Sequence, residues 1–564
     1  MPSLAYPDDK EPLFMESLQH ATHDSGRTTR DGSADASRFP PFRVEPLTDF
    51  SRAEARRAMD AALAQVTPQL GQTYPPVINS QAVHTDATFD SVNPSHSKHI
   101  VGRCGRASAA QANAAVAAAK AAFPAWRDTD AAKRAEYLFA AATVMRRRRF
   151  ELAAWQVYEC GKPRREADAD VAESIDYCEF YGREMLRLAP PRRRDVPGEE
   201  NSYFYEPRGV TVVIAPWNFP MAILCGMTGA ALVTGNPVVM KPAEQSTVIG
   251  AKLMEVFQEI GLPPGVVNYL PGIGEEVGPV LVDHADVAMI AFTGSRGVGL
   301  HINRQAAEVQ AEQDHIKRAL AEMGGKNAIL IDDDADMDEA VQGTAASAFG
   351  YAGQKCSACS RVIVLDSVHD AFVARLIEAT RSLKIAPAED PGCTVGPVID
   401  ADAHQRILAT IDKSKSEGRL VYAGEVGALQ GEGYYIAPHI FDEVAPAASL
   451  AQEEIFGPVL AVLRARDLDH ALAIANGTKY ALTGGLFSRS PEHIARIKRA
   501  FRVGNLYINR KITGALVDRQ PFGGFKMSGI GSKAGGPDYL LQFVLPRTIT
   551  ENTLRRGFAP EVGD

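Results

Sequence analysis

From Gly209 to Met240 the chain runs 32 residues without one charged side chain. A helix that crosses a membrane needs about 20 unbroken apolar residues. Here Pro216, Asn218, Pro220, Asn236 and Pro237 cut the stretch into short pieces. The pieces read as an apolar strand "GVTVVIA" (209–215), a loop "PWNFP", a helix to about Val233, and a second strand "PVVMK". The same texture continues. A helix, "STVIGAKLMEVFQEIG", stops at Gly261, "GVVNYL" is a third strand, "EEVGPVLVDH" a helix, and "VAMIAFT" a fourth strand running into "GSRGVG". Strands with uncharged interiors that alternate with helices predict a parallel α/β sheet covered on both faces. Ligands of such sheets sit beyond the carboxyl ends of the strands. That rule singles out Trp217 and Asn218, Lys241 and Glu244, and Gly294 and Ser295.

A second α/β unit begins near "KNAILIDDDAD" (326–336). It takes in "RVIVLD" (361–366), "GYYIAPHIFDEV" (433–444), "GPVLAVLRA" (457–465) and "GNLYINR" (504–510). Two α/β domains with a cleft between them are expected. Upstream, "SAAQANAAVAAAKAAFPAW" predicts a helix with Ser108 as N-cap, and helical patterns continue to about Leu188. The polar segment before residue 42 reads as a disordered tail, with neither a secretory nor a transit signal. A net charge of −9 argues against nucleic acid or an anionic membrane as partner. The run Arg146 to Arg149, beside Glu151, reads as a solvated helix face. Seven cysteines are too few for a disulfide framework in 564 residues, and their odd number points to a reducing, cytoplasmic setting.

"FTGSRGVG" places glycines 294, 297 and 299 directly after a strand, where amides at a helix N-terminus can hold a phosphate. Turns of this kind also occur for structure alone. In "MKPAE", Glu244 can accept hydrogen bonds from ribose hydroxyls. "YAGQKCSACS" spaces Cys356 and Cys359 three apart, as a redox pair, half a metal site, or one nucleophile with a bystander would. No second C-x-x-C or Cys/His cluster completes a zinc site, so no metal is expected. A thioredoxin-like pair would open a helix after the first strand of a small domain, which is not the context here.

Taken together, "GQKCSACSR", "PWNFP", "EMGGKN" and "EEIFGP" resemble the aldehyde dehydrogenase superfamily, with Cys356 standing 34 positions after Glu322. The resemblance runs from about Arg43 to Leu545. It implies a Rossmann-type NAD domain, an α/β catalytic domain and a small β oligomerisation flap. The corresponding boundaries are tail 1–41, NAD-binding domain 42–325 with the flap at 190–208, catalytic domain 326–530, and C-terminal oligomerisation strand and tail 531–564. It also implies a nucleophile at Cys356, an oxyanion donor at Asn218 and a general base at Glu322. For NAD it implies Lys241 and Glu244 at the adenine ribose, Trp217, Gly294 and Ser295 near the pyrophosphate, and Glu454 with Phe456 at the nicotinamide ribose. Cys359 becomes a bystander. Dimers, or rings of dimers, are expected through "ENSYFYEPRG" and "YLLQFVLPRTIT".

"VGNLYINRKITGALV" and "QPFGGFKMSGIGSKAGGPDYLLQF" are more restrictive, and are similar to the L-glutamate γ-semialdehyde (1-pyrroline-5-carboxylate) dehydrogenase branch. That likeness implies a small-molecule substrate from proline catabolism. Gly514 and Ala515 would bind its α-carboxylate through backbone amides, with Ser357 adding a hydroxyl. Phe219 and Phe522 would flank the methylenes, and Glu173 would stand nearby. The alternative within the class is another semialdehyde or a small aliphatic aldehyde. One departure stands beside the anchor loop, where Asp518 and Arg519 replace the branch's usual glycine and apolar residue. A non-catalytic protein on this fold would be expected to lack Cys356 or Glu322; both are present.

Overall fold

The computed structural model describes residues 40–554. The expected tail lies outside the described residues up to position 39. Phe42 already packs edge-on against Phe180, 5.3 Å between ring centres.

Five parallel strands build the first sheet: Val210–Ile214, Val238–Lys241, Val267–Tyr269, Val287–Thr293 and Arg318–Glu322. Laterally they run fifth, fourth, first, second, third. The order reverses between the first and fourth strands, and the crevice at such a reversal is where doubly wound sheets take a ligand. Antiparallel pieces extend both edges, with Gly529–Ile530 beside Arg318–Glu322 and Val77–Ile78 beside Val267–Tyr269. All four strands read from the sequence are present. Arg318–Glu322 escapes the pattern because "RALAE" is short and charged at both ends.

Ala109–Arg127 starts with a full capping box between Ser108 and Gln111. Helices Ala131–Arg147, Arg149–Cys160 and Arg164–Leu188 pack with the sheet into one core that includes Trp126, Trp155 and Phe257. The arginine run is the solvated face expected of it only at Arg146 and Arg147; Arg148 and Arg149 are turned inward. Arg149 makes a two-pronged ion pair with buried Asp168, and Arg148 bonds both Glu151 and Glu255. The run falls where one helix ends and the next begins, so its last two side chains turn toward neighbouring acids rather than along a free face.

The second sheet has seven strands in the lateral order Arg419–Ala423, His439–Asp442, Val459–Ala465, Cys359–Leu365, Asn327–Ile331, Thr483–Phe487, Asn505–Ile508. Only Arg419–Ala423 runs antiparallel to its neighbour. Thr483–Phe487, "TGGLF", is the strand that the sequence hides. A Cβ on Gly484 would stand 2.5 Å from the Phe501 ring, and one on Gly485 2.6 Å from Ile512, so glycine allows close packing where a strand normally shows branched residues. The chain then returns to the first core through Val517, Tyr539, Leu540 and Phe543. A third sheet stands apart, with Val544–Asn552 pairing along all of Glu199–Pro207 and with Arg192–Arg193 on the other side. The two pieces expected at an oligomer interface therefore form one sheet within the chain.

Candidate active site

Helix Met337–Phe349 delivers the chain to a tight turn in which Tyr351 and Ala352 hold φ of +54° and +53°. Such left-handed residues cost about 1–3 kcal/mol each and persist only where neighbours over-determine them. Tyr351 donates its hydroxyl to the Cys160 carbonyl at 2.7 Å. The Gln354 amide donates to Pro397 O and accepts from Ile399 N–H, at 3.1 and 2.9 Å. The Asn327 amide donates to Cys356 O and Ala358 O at 2.7 and 2.8 Å, while its oxygen accepts from Thr483 N–H. The backbone at Cys356 is pinned from three elements.

Cys356 lies where two cavities meet. An outer one of about 340 Å³ is walled by Trp217, Asn218, Gly294, Ser295, Glu454 and Phe456. It opens at the reversal point of the first sheet. Trp217 and Phe456 meet edge to face at 5.5 Å, and Glu454 accepts the Gly325 N–H at 3.0 Å. Ser295 caps helix Arg296–Ala306 through its hydroxyl. Lys241 and Glu244 stand apart from this cavity, farther along the strand ends. They pair at 2.8 Å, and the Gly274 N–H also donates to Glu244. A Cβ on Gly274 would come within 3.2 Å of Glu244 and 3.5 Å of Lys241, so glycine keeps that ledge open.

The inner cavity, about 100 Å³, is lined by every residue expected at the substrate: Glu173, Phe219, Ser357, Gly514, Ala515 and Phe522. Glu322 is in the same wall. Gly514 has φ +77°, as its place in a backbone turn anticipates. Glu173 is no exposed helix acid. It accepts the Tyr177 hydroxyl at 3.1 Å, and burial next to Asp170 pushes its carboxyl up to about 8. Asp518 and Arg519 are exposed and outside both walls. Asp518 takes φ +65°, a conformation that glycine adopts freely and aspartate tolerates.

Burial dominates the electrostatics. It pushes the Cys356 thiol up to about 12, reinforced by Glu454 and Glu322. It pushes Glu322 up to about 8, against the opposing pull of Lys533 and a Gly524 N–H. Asn218 is buried, and its side-chain amide donates to Gln354 O at 3.1 Å. Its loop is fixed from below by a fully buried ion pair. Lys162 bonds Asp170 at 2.8 Å and Asn218 O at 2.6 Å, and sits 4.0 Å from the Phe219 ring centre. Asp170 in turn accepts the Ala222 N–H. Cys359 is buried at the head of its strand with its thiol toward Arg361 O, on neither cavity.

Sequence reasoning missed Tyr177, Tyr181, Met227, Thr293 and Tyr539 in the inner wall. For two of them a signal existed. Glu173, Tyr177 and Tyr181 are four apart on helix Arg164–Leu188 and therefore share a face. Tyr539 stacks on Tyr181 at 5.5 Å, a meeting that only the tertiary fold arranges.

Comparison with known proteins follows the same lines. The aldehyde dehydrogenase family model matches residues 82–549. A 1-pyrroline-5-carboxylate dehydrogenase of Geobacillus kaustophilus is 49% identical over 91% of this chain and 99% of its own length. The NAD-bound 1-pyrroline-5-carboxylate dehydrogenase from Thermus superposes with a TM-score of 0.89 at 48% identity, over 91% of this chain and 99% of that one. Proline utilization A from Bdellovibrio bacteriovorus matches at 55% identity and a TM-score of 0.90; 92% of this chain is covered, but about half of that longer protein, 54%. The chain belongs to the aldehyde dehydrogenase family.

Proposed function

We propose that the protein oxidises L-glutamate 5-semialdehyde, the open form of 1-pyrroline-5-carboxylate, to L-glutamate with NAD, as a step of proline breakdown. The observation that carries this reading is the position of Cys356. One side of it faces a crevice at the sheet reversal, and the other a narrower cavity whose wall includes the Gly514–Ala515 backbone. Names and bound ligands of the relatives at 48–49% identity point the same way.

The chain's own residues supply the chemistry. Backbone amides of Gly514 and Ala515, with Ser357, hold the substrate's α-carboxylate, while Phe219 and Phe522 enclose the methylenes and Glu173 stands by the head group. Cys356 sulfur, its proton given up to solvent, bonds to the aldehyde carbon as the carbonyl π pair moves onto oxygen. Asn218 gives one amide hydrogen to Gln354 O, and the other serves the oxyanion together with the Cys356 backbone N–H. Trp217, Gly294, Ser295, Lys241, Glu244, Glu454 and Phe456 hold NAD, which when bound supplies the acceptor for a hydride. The acyl group left on sulfur is a thioester. Glu322 takes a proton from water as the water oxygen attacks it. Glu244 repels a 2′-phosphate and so favours NAD over NADP. The free cysteines and the exposed third sheet fit a cytoplasmic homo-oligomer, a dimer or a ring of dimers.

The test is NADH formation with 1-pyrroline-5-carboxylate, succinic semialdehyde and propanal, on wild type and Cys356→Ala. The pyrroline compound should win by orders of magnitude in kcat/KM, with the variant inactive. Equal rates on simple aldehydes would remove the anchor reading of Gly514 and Ala515.

A further inference from the structure

Glu322 occupies an unusual cage. Its Oε2 is buried with no hydrogen-bond partner. A Cβ on Gly529 would stand 3.1 Å from Oε2, and one on Gly523 3.1 Å from Oε1. That second point is also 3.4 Å from Cα and Cγ of Lys533. A single glycine thus separates the carboxylate from a lysine side chain. Lys533 is half-buried and held at its tip. Its ammonium donates to Gly504 O at 2.7 Å and to Asn505 Oδ1 and Gly523 O at 2.8 Å. All three acceptors are neutral, so no ion pair cancels its charge. The last of them holds the turn whose next residue, Gly524, points its N–H at Glu322.

We propose that Lys533 is the positioning residue of Glu322: a locked cation that clamps the Gly523–Gly524 turn onto the carboxylate and balances its charge while it works. The inference rests on the reading of Glu322 as base. In that step the water oxygen bonds to the thioester carbon as its proton passes to Glu322. The carbon–sulfur bond then breaks, and the departing Cys356 sulfur recovers a proton from Glu322. Water and thioester become carboxylic acid and thiol. The base must start ionised, in a site where burial opposes ionisation. Besides Lys533, the titratable groups facing Glu322 are Cys356 on its loop, Tyr539 from the C-terminal segment, and Glu173, Tyr177 and Tyr181 of helix Arg164–Leu188 across the inner cavity. None of them carries positive charge. Burial lowers Lys533 itself, and Glu322 works against that lowering, so each group favours the charged form of the other.

The experiment uses p-nitrophenyl acetate, which loads the thiol directly and needs no nucleotide. The nitrophenol burst reports acylation, and the steady rate reports water attack on the thioester. Lys533→Met and Lys533→Gln should keep the burst, while the acidic limb of the steady rate moves up by about one pH unit or more. Lys533→Arg, which keeps the charge, should leave the limb where wild type has it. The inference is overturned if the limb of both neutral variants coincides with wild type, or if Lys533→Arg moves it as far as they do. Lys533→Gln carries the same test if the methionine variant does not fold. Glu322→Gln separates the two levels of the argument: wild-type steady hydrolysis in that variant would overturn the base reading itself, whatever the lysine variants do.

Discussion

At Cys356, burial and two carboxylates oppose the ionisation that its chemistry requires, and at Glu322 burial alone does the same. The sign of the pH dependence follows. A carboxyl held at about 8 is mostly protonated at neutral pH, so only a minor ionised fraction can serve as base there. Turnover limited by water attack should therefore rise as pH climbs through about 8, and a steady-state kcat profile that is flat from 6 to 9 (roughly the range over which such a base titrates) would contradict it. In the proposed mechanism Asn218→Ala removes one donor to the developing oxyanion. A loss of about 10²–10³-fold in kcat is expected, measured as a slower NADH burst with nucleotide affinity unchanged. Cys356, Glu322 and Asn218, with the six inner-wall residues from Glu173 to Phe522 expected at the substrate, were legible in the sequence, because their motifs carry residue identity along with spacing. Tyr539 and Lys533 were not, since nothing in their local sequence says which acid or ring they will face.

Among the elements, the strand-to-helix alternation between Gly209 and Gly299 was readable because buried parallel strands exclude charge from both faces. Two strands were not. "RALAE" carries charge at its ends, and "TGGLF" replaces branched residues with glycines that the packing of Phe501 and Ile512 demands. Arg148 and Arg149 misled for a related reason: charge predicts solvent until a tertiary neighbour of opposite sign is present. Asp168 is that neighbour, only 1% exposed, held by Arg149 and by the Thr48 hydroxyl. Arg149→Ala would leave that carboxylate buried without its cation, at a cost of about 3 kcal/mol. Urea denaturation monitored by circular dichroism should show the loss, and an unchanged midpoint would mean that Asp168 finds water or another partner.

For the molecule as a whole, the Cys356 loop belongs to the second sheet, the crevice and Glu322 to the first, and the inner wall is completed only when residues 514–539 return to the first core. Beyond that core, Val544–Asn552 pairs along nine residues of Glu199–Pro207, and most of the sheet is exposed. Ending the chain after Phe543 strips that edge. The expected outcome is a lower assembly mass by light scattering with the Cys356 thiol still reactive toward p-nitrophenyl acetate; an unchanged mass would place the assembly contacts elsewhere. By itself the sequence determined the α/β class, the family, and the motifs that carry Cys356, Glu322 and Asn218, because motif identity and strand periodicity are local properties of a chain. Only the tertiary structure decided the electrostatic setting of those residues. Burial, the Lys162–Asp170 support beneath Asn218 and the Lys533 clamp behind Glu322 arise from contacts between segments far apart in sequence, and the ionisation of a group depends on what surrounds it in space.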